Sequence, residues 1–151
     1  MGLYFEDFTP ELRVVTRGRT VGEGDITLFA GLVGDFNPLH VDAAYCVETP
    51  YRERIAHGPL TASMAIGLMS QQNLIDATTM GLLDLHWSFA APVKIGDTVH
   101  AVVTAPERTA SRSKPDRGVV TLRLDVFNQH GEQIQTGHLK LMMKRRAPEI
   151  A

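Results

Sequence analysis

Cysteine is nearly absent from this sequence, which has a single thiol, Cys46, in 151 residues. One cysteine cannot form an intramolecular disulfide, and such usage is typical of proteins from a reducing compartment. No nucleophile motif surrounds Cys46, so we expect it to be a small buried apolar residue. The first ten residues carry acids and no long apolar stretch, so we expect neither a secretory signal nor a transit peptide. The sequence thus predicts a cytoplasmic protein.

Long apolar runs and an excess of positive charge are also missing. No run approaches the roughly 20 apolar residues that cross a bilayer, so we expect no membrane-spanning segment. The net charge is −2 and the pI is near 6.3, so no overall positive field would attract nucleic acid. A dinucleotide fingerprint, a phosphate-binding loop and the G-x-S-x-G elbow of a serine hydrolase are absent as well. These absences argue against nucleotide-binding classes and against a hydrolase built on Ser63.

The composition that remains is sufficient for one folded domain. Hydrophobic residues make up 44% of the chain and charged residues 21%, which allows a real core. We find no internal repeat and no low-complexity segment. The length fits one domain over residues 1–151 and leaves no room for a second of ordinary size.

The pattern before about residue 80 is mainly helical. It predicts a short strand, a helix, a further turn or two of helix, and a main helix, over residues 12–20, 23–34, 42–48 and 58–73. The first helix should bury one face, which carries Ile26, Phe29, Leu32 and Val33. The main helix begins near Pro59 and ends near Asn73, and it is apolar almost all round, so we expect it to be buried.

The pattern after residue 80 is strand-like. Four segments with turn-rich breaks between them predict strands over residues 82–90, 97–109, 118–128 and 133–144. Short connections between consecutive strands imply an antiparallel sheet, with the helices earlier in the chain. The sequence therefore predicts the α+β class, with a sheet wrapped around the apolar main helix.

The segment GDFNPLH, residues 34–40, brings an acid and an imidazole into one short loop. Pro38 lies between Asp35 and His40, and we expect it to keep this stretch from forming a helix, while Asn37 before it is restricted to extended geometry. A loop stiffened in this way could hold a water between the two side chains, which would share acid and base roles. Alternatively, Asp35 caps a turn and His40 packs at its edge. Spacing alone favours this second alternative.

The segment RIAHGPL, residues 54–60, places Gly58 at the start of the main helix. Backbone N–H groups there have no intrahelical partner, and the helix dipole favours negative charge, as an oxyanion hole requires. A plain helix start explains Gly58 almost as well, and His57 either orients the loop or simply packs. A metal site from His40, Asp42 and His57 matches no known ligand spacing, so we expect none.

The hairpin segment SRSKPDRG carries three cations, Arg112, Lys114 and Arg117. They could grip ligand phosphates, although cations in such a loop are more often simply solvated.

Taken together, three segments resemble the MaoC-like, or (R)-specific enoyl-CoA hydratase, family. They are GRTVGEGDITLFAGLVGDFNPLHVD, RIAHGPLTASMAIGL and FAAPVKIGDTV, which span roughly residues 18–100 in the family's order. The combination of D-x4-H with AHG opening an apolar helix is far more specific than either part. The resemblance implies a hot-dog fold, with the sheet wrapped around the helix over 58–73. It also implies a homodimer with active sites near the subunit interface. A hot-dog sheet leaves an edge strand open and an apolar surface uncovered, so we expect a stable homodimer or a dimer of dimers.

The resemblance also implies roles for individual residues. Asp35 and His40 would bind the attacking water, and Gly58 would donate its N–H to the thioester carbonyl. Apart from these family roles, we expect contacts with the substrate from Asn37, His57, Ser63, Arg112, Lys114 and Arg117. One departure is Ile66, which stands where hydratases of this type have a serine.

The implied reaction is reversible addition of water to the double bond of an enoyl thioester, which gives a (3R)-hydroxyacyl thioester. The substrate would be an acyl thioester of coenzyme A or acyl carrier protein, and neither a metal nor an organic cofactor would be needed. Two other functions stay open. A hot-dog thioesterase usually has an acid on or beside the central helix, and residues 58–73 contain none. A non-catalytic acyl-thioester binding module would not need both Asp35 and His40.

Overall fold

The computed structural model describes residues 1–147, so the last four residues of the predicted domain lie outside the described part. A short 3-10 helix at Phe5–Asp7 opens the chain. Four α-helices follow, α1 to α4, at Glu23–Val33, Pro38–Val41, Ala43–Val47 and Gly58–Ser70. The six strands, β1 to β6, are Arg13–Val15, Arg19–Thr20, Thr79–Phe89, Thr98–Ala110, Arg117–Phe127 and Gln133–Lys144.

The strands form an antiparallel sheet in the order β1-β4-β5-β6-β3, and β2 also pairs with β4. The four predicted strands are confirmed to within three residues at each end. The pairing of β3 with β6, rather than with the next strand β4, was not indicated by the sequence. It leaves β3 at one edge of the sheet.

Helix α4 lies on the inner face of the sheet and packs against β4 and β5. Its buried side chains include Leu60, Met64, Leu68 and Met69, and they join the inward residues of the strands in one core. A helix with apolar residues almost all round can satisfy its side chains only by burial, so the sheet curves over it. The predicted arrangement of a sheet around the main helix is confirmed. The helix ends at Ser70, three residues before the predicted end, and Asn73 lies in the left-handed region at φ 56°.

Two predictions about the first half are wrong in part. The predicted strand over 12–20 is broken into β1 and β2, because the hydroxyl of Thr16 donates to the Arg17 carbonyl and accepts from the Ala101 N–H. In α1 the buried residues are Ile26 and Ala30, whereas Leu32 is 83% exposed.

The Asp35–His40 loop was expected to contain no helix, yet it contains the four-residue helix α2. Pro38 is the first residue of α2, where the missing N–H costs nothing and the fixed φ suits the helix. The side-chain oxygen of Asn37 accepts from the Leu39 N–H and caps the turn. His40 is therefore carried by a rigid helical turn.

The edge strand β3 is much more exposed than the other long strands. Its exposed large apolar residues are Met80, Leu82, Leu83, Leu85 and Phe89. Apolar side chains on an open sheet edge are typical of surfaces that contact a partner.

Candidate active site

The dyad residues approach each other where α1 ends and α2 begins. Helix α1 closes on Gly34, whose φ of 78° is the left-handed geometry that glycine tolerates best, and Asp35 follows directly. The Oδ2 atom of Asp35 lies 3.9 Å from Nε2 of His40, and their side chains are 51% and 12% exposed. At this separation the two groups make no direct hydrogen bond, but one water can bond to both.

The second carboxylate oxygen of Asp35 has a structural partner. Its Oδ1 atom accepts from the Asn37 N–H at 3.2 Å, which is the turn-capping role that the sequence had left as an alternative. The two roles coexist, because each uses a different oxygen.

The orientation of His40 follows from its contact with a backbone carbonyl. Its Nδ1 atom lies 2.7 Å from the carbonyl oxygen of Ile55, and a carbonyl can only accept, so Nδ1 carries a proton. In the neutral ring, Nε2 then presents its lone pair toward Asp35. The geometry thus presents a base at Nε2.

His57 links the dyad to the main helix. Its ring is 1% exposed and stacks on that of His40 with centroids 3.7 Å apart. Its Nε2 donates to the Asp35 backbone carbonyl at 3.0 Å, and its buried Nδ1 has no partner within residues 1–147. His57 therefore orients the loop, one of the two roles open from sequence, and its burial leaves little surface for a ligand.

Gly58 follows His57 as the first residue of α4, as predicted. Within the described part of the chain its N–H makes no hydrogen bond, in keeping with its place in the first turn. A Cβ added at Gly58 would lie 2.8 Å from the ring of Phe89, so a larger residue there would displace that ring. The sequence offered no sign of this contact.

The structure brings together three potential metal ligands that differ from the set considered from the sequence. Ligand-capable atoms of Asp35, His40 and His57 lie within 4.8 Å of one another. Asp42, a member of the trio considered from sequence, instead accepts from the Tyr45 N–H as the cap of α3. The rings of His40 and His57 are stacked at 29°, so their in-plane lone pairs run side by side instead of converging on one ion. We therefore continue to expect no metal here.

Three of the cavities in the described part of the chain border α4. The first, of about 330 Å³, is lined by Tyr51, Ile55, Gly58, Thr61, Phe89 and Gln135, among others. The second, about 320 Å³, lies between α1 and α4. The third, about 190 Å³, is apolar and is lined by Ile66, Leu85 and Trp87. Ser63 lines both the second and the third cavity, and Ile66 occupies the wall of the third beside it.

The basic loop, which we define as Arg112, Lys114 and Arg117, lies far from Gly58 in the same chain. It connects the last residue of β4 to the first of β5, whereas the Gly58 end of the sheet holds the opposite ends of these strands. Strands of 11 to 13 residues separate the two ends. Arg117 also pairs with Asp116 at 2.8 Å. Within one chain, the basic loop therefore does not lie beside Gly58.

Two buried polar residues beside Gly58 were missed by the sequence analysis. Thr61 lies in the first turns of α4, and Gln135 lies on β6 opposite Phe89. Gln135 occupies the inward register that continues through Gly137, Leu139 and Leu141. A polar residue in an apolar register was the available signal.

The MaoC like domain family matches residues 7–127 of this chain. The chain therefore belongs to the MaoC-like family, and the resemblance is confirmed. It is 39% identical to an (R)-specific enoyl-CoA hydratase of Aeromonas caviae over 116 residues, which cover 77% of this chain and 81% of that protein. It is 37% identical to a protein of the same name from Rhodospirillum rubrum over 120 residues, 80% and 78% of the two chains.

The fold agrees with solved structures. A structure described as a monoamine oxidase regulatory protein from Archaeoglobus fulgius is 33% identical, covers 97% of each chain and superposes with a TM-score of 0.90. A Mycobacterium tuberculosis protein with a double hot-dog fold superposes with a TM-score of 0.85 at 22% identity, covering 99% of this chain and 46% of that one. The fold is therefore the hot-dog fold, as the resemblance implied.

Proposed function

We propose that this protein is an (R)-specific enoyl-CoA hydratase, a hydro-lyase that adds water reversibly across the 2,3 double bond of an enoyl thioester. The observation that carries the proposal is the 3.9 Å distance between Asp35 Oδ2 and His40 Nε2. The His40 ring stacks on that of His57, the residue directly before Gly58 at the start of α4. Relatives with this activity in their names support it.

The geometry supports the following steps. A thioester carbonyl that accepts the free Gly58 N–H becomes polarised, which makes Cβ electrophilic. A water bound between Asp35 and His40 loses a proton to the base at Nε2 as its oxygen bonds to Cβ. The proton then returns from the dyad to Cα, so that one water is added in total. Dehydration is the same path in reverse.

No cofactor is required in this scheme, because the thioester and the dyad supply all of the chemistry. We take the substrate to be a thioester of coenzyme A or acyl carrier protein. One relative, from Arabidopsis thaliana, is named a 3-hydroxyacyl-[acyl-carrier-protein] dehydratase, which keeps acyl carrier protein open as the second possible carrier.

We place the protein in the cytoplasm, because its one cysteine is a buried free thiol. Within residues 1–147 no helix is long and apolar enough to cross a membrane.

We also propose a homodimer, or a dimer of dimers, built on the edge strand β3. In a two-fold dimer, β3 of one subunit would pair antiparallel with β3 of the other. The same apolar surface would then be buried on both subunits. It would also bring the Phe89 end of one sheet beside the Thr79 end of the other. The Thr79 end is where the basic loop lies, since Arg117 and Thr79 pair with neighbouring residues of β6. The basic loop of one subunit could then reach ligand phosphates at the other's site.

The test is an assay with crotonyl-CoA that follows loss of the enoyl absorbance and release of free thiol together. We expect hydration without thiol release, and chiral analysis should find the (3R) product. Thiol release would instead identify a thioesterase. Saturable binding with neither reaction would identify a non-catalytic binding module.

A further inference from the structure

Three side chains, the buried Thr61 and Gln135 and the partly buried Trp87, form a chain of hydrogen bonds that ends at Gly58. The indole N–H of Trp87 on β3 donates to Gln135 Oε1 on β6 at 3.0 Å. The Gln135 amide donates in turn to the hydroxyl of Thr61. That hydroxyl donates to the Gly58 carbonyl at 3.0 Å. Thr61 is 1% exposed and Gln135 is 2% exposed, so these groups have little access to water.

Thr61 also holds the peptide group that carries the Gly58 N–H. The carbonyl of that peptide belongs to His57, and it accepts from the backbone N–H of Thr61 at 3.3 Å and of Leu60 at 3.1 Å. One residue therefore contacts two successive peptides, the His57–Gly58 peptide through its backbone and the Gly58–Pro59 peptide through its side chain. Fixing both peptides fixes the direction of the Gly58 N–H.

A buried hydroxyl in an otherwise apolar helix is costly unless it is bonded. The Gln135 amide removes that cost by donating to Thr61, and Trp87 orients the amide so that its nitrogen, rather than its oxygen, faces the hydroxyl. The ring of Phe89, whose position on β3 pairs with that of Gln135 on β6, lies against Gly58. The helix start is thereby held by side chains of two neighbouring strands.

We propose that Thr61 is a positioning residue for the reaction, held by Gln135 and Trp87, and that it aims the Gly58 N–H at the thioester carbonyl. This inference rests on the proposed hydratase function. It goes beyond that function by assigning a role to residues that do not touch the reacting atoms. Misdirection of a donor weakens an interaction that matters most in the transition state, so the effect belongs in kcat.

The test compares Thr61→Val with Thr61→Ser. Valine keeps the shape and loses the hydroxyl, whereas serine keeps it. We expect kcat for crotonyl-CoA hydration to fall about 10-fold or more in Thr61→Val, with KM within about twofold, and to recover in Thr61→Ser. The matched control is Thr16→Val. It removes a buried hydroxyl that makes two hydrogen bonds on the β1 side of the sheet, and it should leave kcat unchanged.

A double variant separates positioning from stability. Thr61→Val with Gln135→Met replaces both partners by apolar groups of similar shape, so we expect it to regain much of the thermal stability lost in Thr61→Val. Its kcat should stay low. Recovery of kcat together with stability would overturn the positioning role.

A readout without substrate distinguishes failure of this inference from failure of the proposed function. The Gly58 amide resonance in a ¹⁵N-labelled protein should shift or broaden in Thr61→Val and not in Thr61→Ser or Thr16→Val. An unchanged Gly58 resonance in Thr61→Val would overturn the inference, whatever the activity. If the resonance moves but the wild-type protein hydrates no enoyl thioester, the network positions Gly58 and the proposed function is wrong.

Discussion

Asp35 uses its two carboxylate oxygens for different purposes. Oδ1 accepts the Asn37 N–H and holds the turn, which leaves Oδ2 facing His40 across 3.9 Å. His40 is similarly divided, since Nδ1 is bonded to the Ile55 carbonyl and Nε2 is directed to Asp35. Each side chain is thus oriented by one atom and left reactive at another. The half-exposed position of Asp35 also means that this chain alone does not bury the dyad.

At the residue scale, Asp35→Asn and His40→Gln should each lower hydratase turnover by on the order of 10²-fold or more, because each removes one partner of the bound water. Both variants should remain folded, as circular dichroism and thermal melting can verify. The double variant should be little slower than either single one, since the pair acts as a unit. Near-normal turnover in either single variant would disprove the dyad assignment.

At the element scale, β3 differs from its neighbours because only one of its edges is paired within residues 1–147. Its inner face carries Leu85 opposite Leu139 of β6, and its outer face carries His86 opposite His138. Leu85 is half-exposed although its partner is buried, because no residue in the described range 1–147 covers the end of the sheet beyond α4. The strand therefore carries apolar side chains suited to burial, but many of them are exposed.

Placing charge on this edge should therefore prevent assembly. We expect Leu83→Lys with Leu85→Lys to raise the dimer dissociation constant by about 100-fold or more, because two charges per subunit would be buried unpaired. Analytical ultracentrifugation at micromolar concentration measures this. His86→Lys, on the outer face of the same strand, is the matched control and should stay dimeric. A wild-type protein that is monomeric with full activity would defeat the dimer proposal.

At the scale of the whole molecule, the basic loop and the active site lie at opposite ends of one sheet. Replacing Arg112, Lys114 and Arg117 by Gln should weaken binding of a coenzyme A thioester if the partner's loop contacts the phosphates. The loss should be larger at low salt than at high salt, because exposed charges are screened. Titration calorimetry at two ionic strengths tests this, with Arg13→Gln/Arg17→Gln as a control. Binding that is unchanged by the triple replacement would reject the phosphate role.

The two ends of the chain are also joined by ion pairs. Arg145 lies 3.1 Å from Glu6, and Arg146 lies 2.6 Å from Asp7. Burial is the largest single cause and acts to raise the pKa of both carboxyl groups. It is outweighed by the hydrogen bonds and charges taken together, first among them the Arg146 N–H at Glu6 and the Arg146 side chain at Asp7. The pKa of each is held below its ordinary value, 4.5 for Glu6 and 3.8 for Asp7. A lowered folded pKa means that the ionised form stabilises the fold.

This contribution should be fully present above about pH 4.5 and should be lost as the pH falls through the lowered values. We expect the melting temperature to drop by a few degrees between about pH 5 and 3 beyond the drop seen in a Glu6→Gln/Asp7→Asn variant. Scanning calorimetry across this range makes the comparison. Parallel pH profiles for the two proteins would show that the ion pairs do not contribute.

The long strands, the main helix and the residue types of the candidate site could be predicted from the sequence. The alternation of apolar residues placed the four long strands, the apolar run placed α4, and the D-x4-H and AHG motifs located Asp35, His40 and Gly58. These are predictable because they depend on residues within one turn or one strand of each other.

The contacts between distant residues could not be predicted from the sequence. That β3 pairs with β6, that Phe89 covers Gly58, and that Gln135 bonds to Thr61 across 74 residues all depend on long-range packing, which no local pattern records. The distance between the dyad atoms is of the same kind, since it is set by the His57 ring that stacks on one partner and bonds to the other. The motifs indicate which residue types the candidate site contains, whereas the distances between these residues depend on contacts between segments that are far apart in the sequence.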